Sequence, residues 1–253
     1  MPGSDDERLQ RERDYHDGRW VDDRRAPAEK YYEAVASGPA AYRRLLASDP
    51  DVQVLEYGCG TGSAAFDLAA TGARVTAIDI SPVGIEQGRA EASRRELSID
   101  FREMNAEALE FPDASFDLVC GTGILHHLDL DRAAREVRRV LRPAGRAVFY
   151  EPMGHNPLIN LYRKFTPAMR TPDEHPLLDT DLRQLASQFE AAETRFFGFF
   201  ALAAAPFHRI PGGKALARAL DKLDRILLEK VPFLRRYAWT VLLDLRRPAL
   251  DRS

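Results

Sequence analysis

A chain of 253 residues with 45% hydrophobic residues can bury a core and fits one α/β domain with additions. Its 36 Lys and Arg against 39 Asp and Glu leave a formal charge of −3, which supplies no global drive toward nucleic acid. Cys59 and Cys120 form no disulfide or metal pattern, no apolar run approaches the ~20 residues of a membrane span, and the acidic start Met1–Glu7 is unlike a signal peptide, so a reduced, cytoplasmic protein with no resident metal is expected.

Residues 1–50 are highly charged, with Tyr15, His16, Trp20, Tyr31, Tyr32 and Tyr42 set among the charges. Pro27–Leu46 reads as helix and the first dozen residues as mobile. Strand Val52–Tyr57 then precedes helix Ser63–Ala70. Strand Ala73–Ile78 precedes helix Pro82–Glu96, for which Ser81 is a good N-cap and Pro82 a good first residue. Strand Ile99–Met104 leads to a loop. Strand Phe116–Cys120 precedes helix Leu130–Leu141, which stops at Pro143-Ala144-Gly145, and strand Arg146–Tyr150 ends at Glu151-Pro152. Strands separated by helical patterns make right-handed crossovers and a parallel sheet.

The pattern changes after Glu151. Residues 153–180, rich in Pro, His and Asn, read as an insertion. Asp181–Phe189 reads as helix, and Glu193–Leu202 and Arg235–Leu245 as strands. A helical insertion over 203–233 separates those strands, with Ala215, Leu216, Ala219, Leu220, Leu223, Ile226 and Leu227 at helical spacing and charges opposite. Its polar face has mixed signs, whereas a membrane-surface helix favours Lys and Arg, so core or dimer packing is expected. The organisation read here is an N-terminal helical lid over residues 1–50 and one domain over 51–253.

The stretch Val54-Leu55-Glu56-Tyr57-Gly58-Cys59-Gly60-Thr61-Gly62 carries the chemistry. It runs from an apolar strand into a glycine-dense turn, with a helical pattern after it. Glycine suits positions with φ > 0 or close backbone approach, and this strand–turn–helix arrangement makes a nucleotide-cofactor site of Rossmann type. The second strand ends at Asp79-Ile80, and a carboxylate is an acceptor with room for two donors. His126 and His127 follow the fourth strand at the carboxyl edge, where open α/β sheets bind ligands.

The glycine turn, Ala77-Ile78-Asp79-Ile80-Ser81-Pro82, Asn105-Ala106-Glu107, Phe111–Val119, Leu125-His126-His127-Leu128 and Glu136–Gly145 together resemble the class I S-adenosylmethionine-dependent methyltransferases, of the type 11-like small-molecule group, over roughly residues 50–152. The resemblance implies a Rossmann-like three-layer sandwich. Its sheet would have seven mostly parallel strands with an antiparallel C-terminal strand, joined by N-terminal helices and an insertion after the fifth strand. It implies a cofactor site of Glu56, Gly58, Gly60, Gly62, Asp79, Ile80, Asn105, Ala106 and Glu107, with Asp79 on the ribose hydroxyls. Asn105 stands where the family usually has Asp beside the adenine. S-adenosylhomocysteine would be the product.

Methyl transfer is a problem of alignment, helped by a base when the acceptor is a hydroxyl, amine or acidic carbon. His126 is the candidate base, with His127 as the alternative and Glu151 as an orienting or substrate-binding carboxylate. A lid of Tyr15, Trp20, Tyr31, Tyr32, His155, Asn156 and Tyr162 would cover the substrate. No Asn-Pro-Pro-Tyr or Asp-Pro-Pro-Tyr motif is present. A small metabolite is therefore expected, with a lipophilic bias from Phe196, Phe197, Phe199, Phe200, Phe207 and Phe233. Neither a nucleic-acid partner nor stable membrane insertion is expected, and a homodimer fits. The competing readings are a protein of this fold that binds the cofactor without methyl transfer or for another reaction, a peripheral membrane enzyme acting on a lipid or quinone, and an RNA or protein methyltransferase.

Overall fold

The structure, a computed structural model, describes residues 5–21, 29–47, 49–62, 64–167, 170–207 and 209–248; for Val21, Glu29, Lys30 and Tyr32 it describes the backbone alone. Seven strands form one sheet in the order β3-β2-β1-β4-β5-β7-β6. They are β1 (Gln53–Tyr57), β2 (Arg74–Asp79), β3 (Ile99–Glu103), β4 (Phe116–Thr122), β5 (Leu141–Pro152), β6 (Phe189–Phe197) and β7 (Thr240–Pro248). β1 to β5 pair in parallel, and β7 runs antiparallel between β5 and β6. Residues alternate between the two faces, so Val54 packs into one core layer and Leu55 into the other. The first layer includes α3 (Ser37–Leu46), α4 (Ala65–Ala70) and α5 (Pro82–Arg94). The second includes α6 (Leu130–Val140) and α8 (Asp179–Ser187). The expected three-layer α/β sandwich is the observed one.

Local caps act as the sequence predicts in the core and differ at its margins. Ser81 Oγ accepts from Gly84 N at 3.1 Å and opens α5. Pro27–Leu46 is not one helix but α2 (Glu29–Ala34) and α3, separated by a turn. Of the first dozen residues, expected to be mobile, 1–4 lie outside the described residues and 5–12 belong to α1 (Asp5–Val21), which Arg8, Arg11 and Arg13 tie to Glu107, Asp173 and Glu103. β6 begins and ends several residues earlier than expected, because its apolar end turns into a 3-10 segment at Ala201–Phe207. β7 starts only at Thr240, after a 3-10 segment at Pro232–Tyr237. Ser63 lies outside the described residues. α7 (Pro157–Phe165) forms within the insertion.

The largest departure is α9 (Gly213–Lys230). Its buried residues are Gly213, Asp221, Asp224 and Leu228, while Leu216, Leu223 and Ile226 of the predicted packing stripe are exposed. Buried backbone donors decide this orientation. Asp224 accepts from the N–H groups of Phe199, Phe200 and Ala201 at 2.8, 2.8 and 2.9 Å, and Asp221 accepts from Ser37 N and Oγ at 3.1 and 2.6 Å. A buried carboxylate is tolerated when its lone pairs are satisfied, and buried amides need acceptors.

Candidate active site

A cavity of about 780 Å³ opens at the carboxyl ends of β1, β2, β4 and β5, covered by residues of α1, α2, α3 and α7. β1 delivers the glycine turn to its floor. Gly58 and Gly60 have φ of +65° and +55°, and a Cβ there would stand 2.5 Å from Ile124 and 2.4 Å from the Trp20 ring. Both the conformation and the space therefore demand glycine. Asp79, at the end of β2, accepts from Gly60 N at 2.7 Å and from Ser81 N at 2.9 Å, tying turn to strand. Gly58, Gly60, Asp79, Ile80, Asn105 and Ala106 line the cavity. Asn105 Oδ1 accepts from Glu107 N at 2.9 Å, and Tyr57 Oη donates to Ala106 O, which positions this loop.

Three residues expected at the cofactor lie behind this wall. Glu56 is 1% exposed and accepts from Ala64 N and Ala65 N at 2.7 and 2.8 Å, so it anchors the start of α4. Gly62 packs against Phe66 and Phe101. Glu107 takes Arg8 on both oxygens at 2.7 and 2.6 Å and also accepts from Asp129 N at 2.8 Å. The carboxylates of Glu56 and Glu107 are both committed to the scaffold.

His126 and His127 sit in a 3-10 turn, Leu125–His127, rather than on alternating faces of a strand. Both are buried, both line the cavity, and their ring centroids are 4.2 Å apart. Glu151, at the end of β5, is fully buried. Its Oε1 accepts from Ile124 N and Leu125 N at 2.9 and 3.0 Å, and its Oε2 stands 2.8 Å from His126 Nδ1. Burial pushes the Glu151 carboxyl up to about 7, against the two backbone donors that favour its ionised form. His126 Nε2 lies 3.8 Å from Glu174 Oε1, beyond hydrogen-bond distance.

His127 has a different environment. Burial first, and the neighbouring His126 second, push it down to about 4, so it is neutral near pH 7. Its Nδ1 is 3.1 Å from Glu12 Oε2, an ion-pair distance without hydrogen-bond alignment among the described residues. Glu12 comes from α1 and also meets Thr171 Oγ1 at 2.5 Å and His16 Nε2 at 3.6 Å. Burial raises its pKa, but His127, His16 and Thr171 outweigh this and hold it well below the usual carboxylate range. Ligand-type atoms of Glu12, His16 and His127 lie within 4.8 Å of one another, as do those of His126, His127 and Glu174, so either trio is close enough to share an ion.

The structure divides the expected lid. Trp20, Tyr31 and Tyr162 line the cavity. Tyr15 and His155 do not; Tyr15 packs edge-on against His16. Asn156 is structural: Oδ1 caps α7 by accepting from Leu158 N and Ile159 N, both at 3.0 Å, and Nδ2 donates to Tyr237 O at 2.7 Å. The side chain of Tyr32 lies outside the described residues. None of the phenylalanines that suggested a lipophilic substrate reaches the cavity; its aromatic wall is Trp20, Tyr31, Tyr42, Tyr150, Tyr162 and Trp239. Arg8, Glu12 and His16 escaped the sequence reading. Their signal was the spacing 8, 12, 16, 20, which places them with Trp20 on one helix face.

Known proteins share part of this chain's sequence and its fold. Residues 55–149 match the family described as a methyltransferase domain. A ubiquinone biosynthesis O-methyltransferase of Methylocella silvestris is 43% identical over 95 residues, which is 37% of this chain and 37% of the relative. A demethylmenaquinone methyltransferase of Chlorobaculum tepidum is 35% identical over 127 residues, 49% of this chain and 50% of the relative. The chain thus spans about a third to a half of the length of the curated relatives it matches. The structure of phosphoethanolamine N-methyltransferase 2 of Haemonchus contortus, in complex with S-adenosyl-L-methionine, aligns with a TM-score of 0.60 at 15% identity, over 85% of this chain and 53% of that one. Its likeness speaks to the fold. Residues 55–149, which carry the glycine turn and Asp79 at the carboxyl edge of the sheet, are thus similar to a methyltransferase domain.

Proposed function

We propose that this protein transfers the methyl group of S-adenosylmethionine to an oxygen, nitrogen or acidic carbon of a small, lipophilic metabolite. One observation carries the proposal: a single cavity joins the glycine turn and Asp79 to the His126–Glu151 pair. The residues present fit the cofactor. The turn has no side chains at Gly58 and Gly60, and each Asp79 oxygen accepts one backbone N–H and keeps a lone pair for a ribose hydroxyl. Ile80, Asn105 and Ala106 would flank the adenine. Trp20 Nε1 is a buried donor without a hydrogen-bond partner among the described residues, beside the turn. When bound, the cofactor supplies a methyl group already activated by the sulfonium charge.

The chain's own residues supply alignment and proton transfer. Glu151 Oε1 is fixed by two backbone donors, which leaves Oε2 to accept the hydrogen bond of the His126 Nδ1–H. That contact sets the tautomer, with a lone pair on Nε2 able to accept the proton of a bound hydroxyl, amine or carbon acid. His127, walled in by Glu12 and His16, holds α1 against the site. Residues 1–50 act as a lid on the domain of residues 51–253, with α1 and Tyr31 excluding water from the cavity. The aromatic wall and the quinone-pathway activities named for the relatives support a flat, lipophilic acceptor.

The test is incubation with methyl-labelled S-adenosylmethionine and a panel of catechols and demethylated quinols, alongside a small-molecule extract, read by mass spectrometry. The expected result is micromolar S-adenosylhomocysteine binding and a product one methyl heavier. Binding without incorporation into any acceptor would mark a cofactor-binding protein of another activity. No binding at all would overturn the reading.

A further inference from the structure

We propose that the outer face of α9 and the turns at its two ends form a docking surface for an anionic lipid bilayer. The proposal stands independently of methyl transfer. It rests on how α9 is rotated. The helix and its flanks, residues 209–236, hold three acids, Asp221, Asp224 and Glu229. Two of them point inward: Asp221 is 8% exposed, Asp224 is fully buried, and both are occupied by backbone N–H groups. The mixed signs of the sequence are therefore sorted by the fold. Lys214, Arg218, Lys222, Arg225 and Lys230 are exposed and pair with no carboxylate among the described residues, and Glu229 is the one outward acid of α9.

The outward face is also divided along its length. Lys214, Arg218, Lys222 and Arg225 recur at helical spacing as a basic stripe. Leu216, Ala219, Leu223 and Ile226 recur beside it as an apolar stripe, its three large residues 42–44% exposed. Ile210 before the helix and Phe233 after it extend the apolar surface, at 54% and 67% exposed. Arg209 and Arg236 extend the basic one.

Charge complementarity selects the occupant. A second copy of this chain would bring the same basic stripe against itself, and like charges oppose that contact. A nucleic acid would match the Lys and Arg residues but leave Leu223, Ile226 and Phe233 without partners. An anionic bilayer matches both, with basic side chains at the headgroups and apolar ones at the acyl boundary. No described helix is long and apolar enough to cross a membrane, so the contact is one of lying on the surface. α2, whose Tyr31 lines the cavity, packs on α9, which sets the cavity wall beside the docking face.

The test is cosedimentation of the full chain with vesicles of phosphatidylglycerol mixed with phosphatidylcholine, against phosphatidylcholine alone. Retention is expected on the anionic vesicles and should fall at high salt. The triple variant Lys214→Gln, Arg218→Gln, Lys222→Gln should bind on the order of 10²-fold more weakly. Leu223→Ser with Ile226→Ser should bind about tenfold more weakly or less tightly still. All five positions are exposed, so unchanged thermal unfolding of both variants serves as the folding control. Equal retention on both vesicle types, or a triple variant that binds like the parent, would overturn the proposal. So would a dimer that Leu223→Ser dissolves, or RNA binding insensitive to the two serines, when vesicle binding is absent.

Discussion

Replacing Glu151 by Gln changes one oxygen to an amide nitrogen at a site that has three donors and needs three acceptances. In the parent, Oε1 takes Ile124 N and Leu125 N, and Oε2 faces His126 Nδ1 at 2.8 Å. If the Gln oxygen keeps the two backbone donors, its NH2 faces His126. The imidazole must then present a lone pair at Nδ1 and carry its proton on Nε2, where it cannot act as a base. Recovering the active tautomer sets two buried donors against each other. If the amide flips instead, two backbone N–H groups lose their acceptor. Each buried donor left unpaired costs about 1–3 kcal/mol, so the active arrangement lies roughly 3–5 kcal/mol uphill either way. At about 1.4 kcal/mol per tenfold, turnover should fall by a factor on the order of 10²–10⁴. Single-turnover transfer from labelled S-adenosylmethionine at pH 8 reads the rate. Nitrogen NMR shifts of the His126 ring read the tautomer without needing the acceptor. A variant with its proton still on Nδ1, or with parental turnover, would refute the reasoning.

The other expectations are simpler. Asp79→Ala removes an acceptor from the cavity wall and should weaken S-adenosylhomocysteine binding by about 1.5–3 kcal/mol in calorimetry; unchanged affinity would displace the cofactor site. His126→Ala should lower turnover by a factor on the order of 10²–10⁴ with cofactor affinity nearly intact, whereas His127→Ala should chiefly lower stability, by about 2–4 kcal/mol, because it leaves a hole beside Glu12; parental turnover in both variants would mean that no histidine base operates. Glu56→Gln should cost about 2–3 kcal/mol in urea unfolding, since one of Ala64 N and Ala65 N then meets an NH2 group, and a smaller loss would contradict its anchoring role. Glu151 also gives a pH signature. Its carboxyl rises from 4.5 to about 7 on folding, so its protonated form is favoured in the folded protein. The stability it contributes is complete below pH 4.5 and is lost as pH rises through about 7, on the order of 3 kcal/mol in all. Unfolding midpoints of the parent measured against Glu151→Gln should show that decline over this window, and a pH-independent difference would rule it out.

What the linear chain determined by itself is its alternating core. Glycines at positions 58 and 60, the Ser81 cap and the period of apolar residues from Val54 to Tyr150 are local features, and the backbone conformations they favour are the ones observed. Asp79 and His126 were legible because strand ends fall at the edge of a parallel sheet wherever the register lands. The tertiary structure decided the rest. Glu56 and Glu107 follow the motif pattern, yet buried amides and Arg8 claim them, and no spacing rule reveals a partner 99 residues away. Glu12 and His16 joined the site only when α1 was laid over it. α9 carries the plainest lesson: its apolar period predicts which residues share a face, but not whether that face turns inward. Backbone N–H groups at Phe199, Phe200 and Ala201 needed an acceptor, Asp224 supplied it, and that demand turned Leu216, Leu223 and Ile226 outward.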